Sequence, residues 1–235
     1  MLLWKKNKKA KSITDCIDCE KGKPFLIIGA GGTLKQYADP IKAFMEKHKP
    51  ITIGINKMTD FHIPDYHLWT NKQRWEDFGS CVSEKSKLMF AADFKKKIIR
   101  KHFKGDYILV DYVDKAGVET GYKNGMVYGH FRTAGCLSIL LCHLFGAKYI
   151  YIAGMDGYTL HGREELEQGN QSQHLYGAGF TDNASWQECL EKDQQVSDAM
   201  SQIEAFGVKF KIITPTKFEK YYAPDILQEF ITARI

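Results

Sequence analysis

The chain has 235 residues, 44% of them hydrophobic, and a net charge of +5 at pH 7. That is enough apolar material for one substantial core, in one larger domain or a domain with an appended subdomain. No run of the ~18 apolar residues that a membrane span needs is present, and "MLLWKKNKKAKS" places its charges after a short apolar part, unlike a signal peptide. Six cysteines are scattered at 16, 19, 81, 136, 142 and 189. Cys16-Ile-Asp-Cys19 has no second pair at metal-ligand spacing, so no metal site and a reducing, cytoplasmic setting are expected.

Residues 1–22 are polar and basic and read as a tail or linker ahead of a single domain over 23–235. From there short apolar runs alternate with helical patterns. The strand candidates are Phe25–Gly29, Ile51–Ile55, Tyr66–Thr70, Lys87–Ala91, Tyr107–Tyr112, Tyr149–Ala153 and Val208–Ile213. The helix candidates are Leu34–Lys47, Gln73–Gly79, Asp93–Phe103, Ala134–Phe145 and Ala184–Phe206. Strands apolar throughout and separated by helices predict an α/β, Rossmann-like fold: a mostly parallel sheet with helices on both faces.

"FKKKIIRKHFK", Phe94 to Lys104, is read first as a solvated helix face with Phe94, Ile98, Ile99 and Phe103 turned inward. The sharper reading is a patch that meets anionic lipid or glycan. Nucleic acid is excluded as a partner because aromatics do not interleave with the basic residues. Thr159 to Asp182 has no periodicity and is expected to be a lid. In the last long helix Trp186, Leu190, Val196, Met200 and Ile203 recur at core spacing.

Ligands of such sheets sit beyond the carboxyl ends of the strands. The residues there are Gly29-Ala-Gly-Gly-Thr33, Asn56-Lys57, Asn71-Lys72 and Gly154-Met-Asp-Gly-Tyr158. The glycine loop suits close approach of a phosphate at a helix start. It departs from the dinucleotide pattern at Leu34 and at Asn56, where a glycine and an acidic residue belong. A mononucleotide or nucleotide-sugar phosphate is therefore expected. No Asp-x-Asp occurs, and a donor whose leaving group is a monophosphate would depend less on a metal, since hydroxyls and backbone N–H groups can meet its charge.

"IIGAGGTLKQY", Asn56, "LWTNKQRWEDF" and "FRTAGCLSILLCHLFGAKYIYIAGMDGY" occur in the order seen in bacterial sialyltransferases, and the skeleton also resembles the archaeal-type 6-hydroxymethylpterin diphosphokinase family. The resemblance covers about residues 24–215. It implies that Gly29, Ala30, Gly31, Gly32 and Thr33 cradle the nucleotide phosphate, Ala30 standing where the family has Asn. Asn56 and Asn71 would contact nucleotide or donor sugar. Arg132-Thr133-Ala134-Gly135 matches the helix-opening motif, with Ala134 replacing a serine and Arg132 a partner for donor carboxylate or phosphate. Tyr158 would donate its hydroxyl to the departing phosphate, and Tyr176 a second one. His174 is the first candidate for the general base and His161 the runner-up. Asp156 is grouped with the donor contacts, with a second reading as a turn-capping carboxylate.

The implied activity is inverting transfer of an acidic sugar (sialic acid, Kdo or a relative) from a CMP-activated donor to a glycan or lipid-linked glycan acceptor. No cofactor is required by that chemistry, and contact with the inner face of an anionic membrane accompanies it. An ATP- and Mg²⁺-dependent diphosphokinase using Asp111, Asp114 and Asp156 is the alternative. A nucleotide-binding module without catalysis is the third reading, kept by Ala30 and Ala134.

Overall fold

A computed structural model describes residues 10–168, 174–175 and 184–232. The strands are β1 (Lys11–Ser12), β2 (Pro24–Ile28), β3 (Ile51–Ile55), β4 (Tyr66–Trp69), β5 (Lys87–Ala91), β6 (Tyr107–Val110), β7 (Tyr112–Asp114), β8 (Gly121–Lys123), β9 (Met126–Gly129), β10 (Tyr149–Ala153) and β11 (Phe210–Ile212). Eight of them form one sheet in the order β1-β6-β5-β4-β3-β2-β10-β11. Every neighbouring pair in it is parallel. The helices are α1 (Thr33–Gln36), α2 (Ala38–His48), α3 (Lys72–Phe78), α4 (Lys96–His102), α5 (Ala134–Leu144), α6 (Gly162–Glu167), α7 (Trp186–Ala205) and α8 (Asp225–Thr232).

The expected α/β, Rossmann-like architecture is present, and β2 shows why its sequence is apolar throughout. Phe25, Leu26, Ile27 and Ile28 are all fully buried. Successive strand residues point to opposite faces, so Phe25 and Ile27 pack with Leu137, Leu140 and Met200 of α5 and α7, while Leu26 and Ile28 pack with Ile41, Phe44 and Leu227 of α2 and α8. Farther along the sheet, Trp69 and Phe90 pack with Trp75 of α3 and Ile99 of α4. Strand order departs in opposite directions from β2, toward β3 on one side and β10 on the other. The carboxyl ends of β2 and β10 are therefore the switch point, where such sheets leave a crevice.

Three segments depart from the sequence reading. Residues 11–22, expected as tail, belong to the domain. β1 pairs with β6 at Lys11↔Ile108 and Ser12↔Leu109, and Ile13 and Cys16 enter the main core. The amides of Asp18, Glu20 and Gly22 donate to the carbonyls of Leu144, Phe145 and Gly146 at 2.9, 3.0 and 2.8 Å. Glu20 also accepts from Tyr66 Oη at 2.8 Å and from Lys23 Nζ at 2.7 Å. Second, the expected strand Tyr107–Tyr112 divides into β6 and β7, and β7, β9 and β8 make a separate three-stranded sheet. Third, Leu190 is exposed, and the buried stripe of α7 runs Cys189, Asp193, Val196, Met200, Ile203. Spacings of four, three, four and three residues keep one helix face inward; Leu190 lies one position off it. The basic stretch follows its first reading, with Phe94, Ile99 and Phe103 buried, Ile98 partly so, and Lys95, Lys96 and Lys97 exposed. Among the described residues no helix is long and apolar enough to cross a membrane.

His67 on β4 is 1% exposed, and its Nε2 lies 2.6 Å from the carbonyl oxygen of Asn56. Burial lowers its pKa to about 4, opposed by that backbone contact. The unfolded chain therefore takes up the proton first as pH falls. The stability from a neutral His67 is complete above the unfolded value near 6.5 and is lost on descending toward 4. The difference is worth about 3 kcal/mol. Urea midpoints measured from pH 7 to pH 4 are expected to fall more steeply for the native chain than for His67→Gln; parallel curves would remove this assignment.

Candidate functional site

Two turns meet at the switch point. Gly29, just past β2, donates its N–H to Ala153 O at 2.8 Å, and Gly31 donates to Gly154 O at 2.9 Å. A Cβ on Gly29 would come within 2.3 Å of Gly154 O, far inside van der Waals contact, so the approach of the two backbones requires glycine. A Cβ on Gly31 would stand 2.3 Å from Asp156 Oδ1. Asp156 is 3% exposed. Its carboxylate accepts from the Thr33 N–H at 2.9 Å and from the Thr33 hydroxyl, satisfying an amide at the start of α1. The glycine loop thus already holds a carboxylate. Ala30 is left as a loop amide not engaged among the described residues.

Asn56 and Arg132 have left-handed backbones, with φ of 55° and 59°. For non-glycine residues that conformation costs energy and is held by its surroundings. The Asn56 carbonyl meets His67, and its side-chain Oδ1 is buried with no hydrogen-bond partner among the described residues. Beside Arg132, Asp114 Oδ1 accepts from the Phe131 N–H at 2.9 Å. Thr133 then caps α5, its Oγ1 accepting from the Cys136 N–H at 3.3 Å.

The turn after β10 is clamped from α7. Asp193, 6% exposed, accepts from the Tyr158 N–H at 2.7 Å and from the Thr159 N–H and hydroxyl at 2.9 and 2.7 Å. Lys192 Nζ lies 5.5 Å from the centre of the Tyr158 ring. Sequence reasoning missed Asp193, because an acidic residue at a core position of an amphipathic helix looks like an interruption of the stripe. Its only signal was that misfit.

His174 forms an isolated antiparallel bridge with Gly31, and the adjacent Leu175 N–H donates to Ala30 O at 2.8 Å. The histidine thereby lies against the glycine loop. Burial pushes its pKa below the ordinary value and the nearby Arg74 charge adds to this; the Ala30 backbone and Asp156 oppose. The imidazole is consequently neutral at pH 7, the form able to accept a proton. Arg74 had not been singled out in the sequence.

One cleft of about 170 Å³ gathers Gly29, Ala30 and Gly31 from the glycine loop, Asn56, the helix opening Thr133-Ala134-Gly135, and Asp156, Tyr158 and His174. Ile27, Ile55, Ile152, Met155, Val196 and Phe218 supply its apolar walls. Clefts that bury a drug-sized ligand run to about 300–1,000 Å³, so a nucleotide-sugar would project beyond the rim. Other expected residues stand differently. Asn71 is exposed and caps α3, its Oδ1 accepting from the Arg74 N–H at 3.0 Å. His161 precedes α6, its Nε2 3.5 Å from Asp156 Oδ2. Gly32, Thr33 and Arg132 adjoin lining residues without being among them. Of the expected lid, Gly162–Glu167 is helical; Tyr176 lies outside the described residues. Asp111 and Asp114 do not line the cleft.

Fold and site together define an α/β protein of Rossmann-like class with a cleft at the switch point, walled by glycine turns and carrying a neutral histidine and a tyrosine. No protein-family model matches the chain, and a search of curated proteins returns no match.

Proposed function

We propose that the chain is a glycosyltransferase of the CMP-sugar type, resembling the bacterial sialyltransferases, which moves an acidic sugar to a hydroxyl of a glycan acceptor with inversion. The observation that carries this reading is the pairing of His174 with Gly31: a neutral base lies against the loop at which donor phosphate and anomeric carbon would sit. In the proposed step the acceptor oxygen attacks the anomeric carbon as its proton passes to His174. The bond from that carbon to the phosphate oxygen breaks, and its electron pair leaves with CMP. The Tyr158 hydroxyl donates to the departing phosphate, whose developing charge it stabilises. Asn56, on the wall of the cleft, would contact the nucleotide or the sugar. Asp156 has a supporting part in this scheme, tying the glycine loop to the turn after β10. A lipid-linked acceptor at the inner face of an anionic membrane would meet the exposed Lys95, Lys96 and Lys97.

Thermal unfolding with CMP, CDP, UDP, AMP and ATP, each with and without Mg²⁺, tests the nucleotide. A specific ligand at a hundredfold excess over its dissociation constant stabilises by ~2.7 kcal/mol. Stabilisation by CMP in the absence of metal is expected. Stabilisation confined to ATP or AMP with Mg²⁺ would overturn the reading in favour of phosphoryl transfer.

A further inference from the structure

Cys16-Ile-Asp-Cys19 has no part in the cleft, and the fold gives it a defined geometry. Ile13–Cys16 is a short 3-10 helix, and the Cys19 N–H donates to Cys16 O at 3.2 Å. Ile17 has φ of −60° and ψ of 130°, and Asp18 a left-handed φ of 54°. Those values follow a type II turn with the cysteines as its first and last residues, which keeps their Cα atoms within about 7 Å. Disulfides span Cα separations of about 4.4–6.8 Å. Closing one here therefore asks for side-chain rotation and not for a new backbone path.

The two thiols differ in access. Cys19 is exposed, whereas Cys16 is 6% exposed and packs in the main core. Burial pushes the Cys16 thiol up to about 11, with Cys19 and Asp15 adding to this and Lys11 and Lys87 opposing. Cys16 is thus protonated at pH 7 and shielded, and the thiol that meets a solute first is Cys19. Cys19 Sγ lies 3.5 Å from Tyr66 Oη. That hydroxyl gives its hydrogen to Glu20 at 2.8 Å and accepts from Lys87 Nζ at 3.0 Å, so the Cys19 S–H is the donor in the contact. No cluster of three or more histidine, cysteine or acidic side chains able to hold a metal occurs among the described residues. Two thiols are too few for the four-coordinate site of a structural zinc.

We propose that Cys16 and Cys19 form a reversible disulfide when the exposed thiol meets a small peroxide. The Cys19 sulfur takes one oxygen of hydrogen peroxide as the O–O bond breaks, giving a sulfenic acid and one water. The Cys16 sulfur then attacks the Cys19 sulfur and the S–O bond breaks. The hydroxide leaves with the Cys16 proton as a second water. The thiol pair loses two electrons, and the peroxide is reduced to two waters. Tying the ends of one turn gains little from loop closure, and an accessible bond of that kind is reduced again by small thiols. The bond draws the Cys19 sulfur from Tyr66 and locks the turn whose Asp18 and Glu20 amides hold the end of α5. None of this depends on the transfer reading.

The test is mass spectrometry of the intact chain treated with hydrogen peroxide, alkylated in denaturant and cut with trypsin. A parallel sample is reduced with dithiothreitol before alkylation. Cleavage after Lys11 and Lys21 places both cysteines in one peptide, residues 12–21. After peroxide that peptide is expected to lack two hydrogen atoms and to escape alkylation, and dithiothreitol should restore both sites. Cys19→Ser, at an exposed position, should keep the melting temperature and leave Cys16 an alkylatable thiol. Cys16→Ala should let Cys19 run on to the sulfinic acid; if that core variant fails to fold, Cys19→Ser alone decides. Native chain with Cys19 as sulfinic or sulfonic acid beside an intact Cys16 thiol would overturn the inference. A bridge from Cys19 to Cys81 or to a second copy, or both cysteines left as thiols, would overturn it too.

Discussion

Asp193→Ala is expected to lower the unfolding free energy by about 3–5 kcal/mol, since two buried donors and one partly buried donor lose their acceptor and each unpaired group costs about 1–3 kcal/mol. The donors are the N–H groups of Tyr158 and Thr159 and the Thr159 hydroxyl. They share one carboxylate, so their losses come together. The residue ahead of them, Gly157, has φ of 91°, and a Cβ there would come within 3.1 Å of Asp193 Oδ1 and 2.8 Å of the Lys217 Cβ. The turn thus has little room for another arrangement around the carboxylate. Asp193→Asn should fall between native and Ala, because it keeps one accepting oxygen while turning an N–H₂ group toward the remaining donors. Urea denaturation of the three proteins decides the matter, and a loss below about 1 kcal/mol for Ala would show that water replaces the clamp. If the transfer reading holds, activity should fall further than stability does, because Tyr158 is held at the cleft by this carboxylate.

The second large effect is chemical. On the proposed transfer reading, His174→Ala should reduce sugar transfer by about 10²- to 10⁴-fold, the ordinary contribution of a positioned general base, while stabilisation by CMP persists. If the transfer reading holds, the native chain should lose kcat/KM on the acidic side as His174 takes up a proton. Burial lowers its pKa, so that limb should lie below the ordinary histidine value of about 6.5. Transfer is favoured above the depressed pKa and fails below it. An unchanged rate in His174→Ala would remove this residue as the base and turn attention to His161, whose Nε2 lies 3.5 Å from Asp156. An acidic limb above 6.5 would place the base elsewhere as well.

The sheet was legible because its strands are buried on both faces. An uninterrupted apolar run such as Phe25–Ile28, flanked by glycine turns and helical patterns, fits little besides a strand covered on both sides. Its carboxyl ends then pointed to Gly29, Asn56 and Tyr158 with no knowledge of the contacts. Other features were hidden for identifiable reasons. β1 is two residues long, and its surroundings are basic, so composition masked Ile13 and Cys16. The β8–β9 hairpin carried a usable signal in Asn124-Gly125, whose φ angles of 54° and 81° suit a tight hairpin turn, but its flanking strands are too short and mixed to show alternation. The function of Asp156 was partly visible: a capping carboxylate was one reading, yet only the fold reveals that the capped amide belongs to Thr33, 123 positions away. Asn71 shows a different ambiguity: an amide after a strand can serve a ligand or a helix start, and the structure shows its Oδ1 capping α3.

The short pairing of Lys11 and Ser12 with β6 bears on what covers the margin of the large sheet. Tyr107–Val110 would otherwise be the outer strand of a parallel sheet, offering bare peptide groups and apolar side chains to any passing strand. Lys11 and Ser12 cover the middle of that strand with a polar, charged pair, and Ile13 and Cys16 fasten the cover into the core. A chain begun at residue 23, where composition alone would set the domain boundary, would lose the cover and its fastening together. It would carry an open sheet margin and an empty hollow beside α5, and its first failing would be self-association into strand-paired aggregates, with the cleft several strands away still intact.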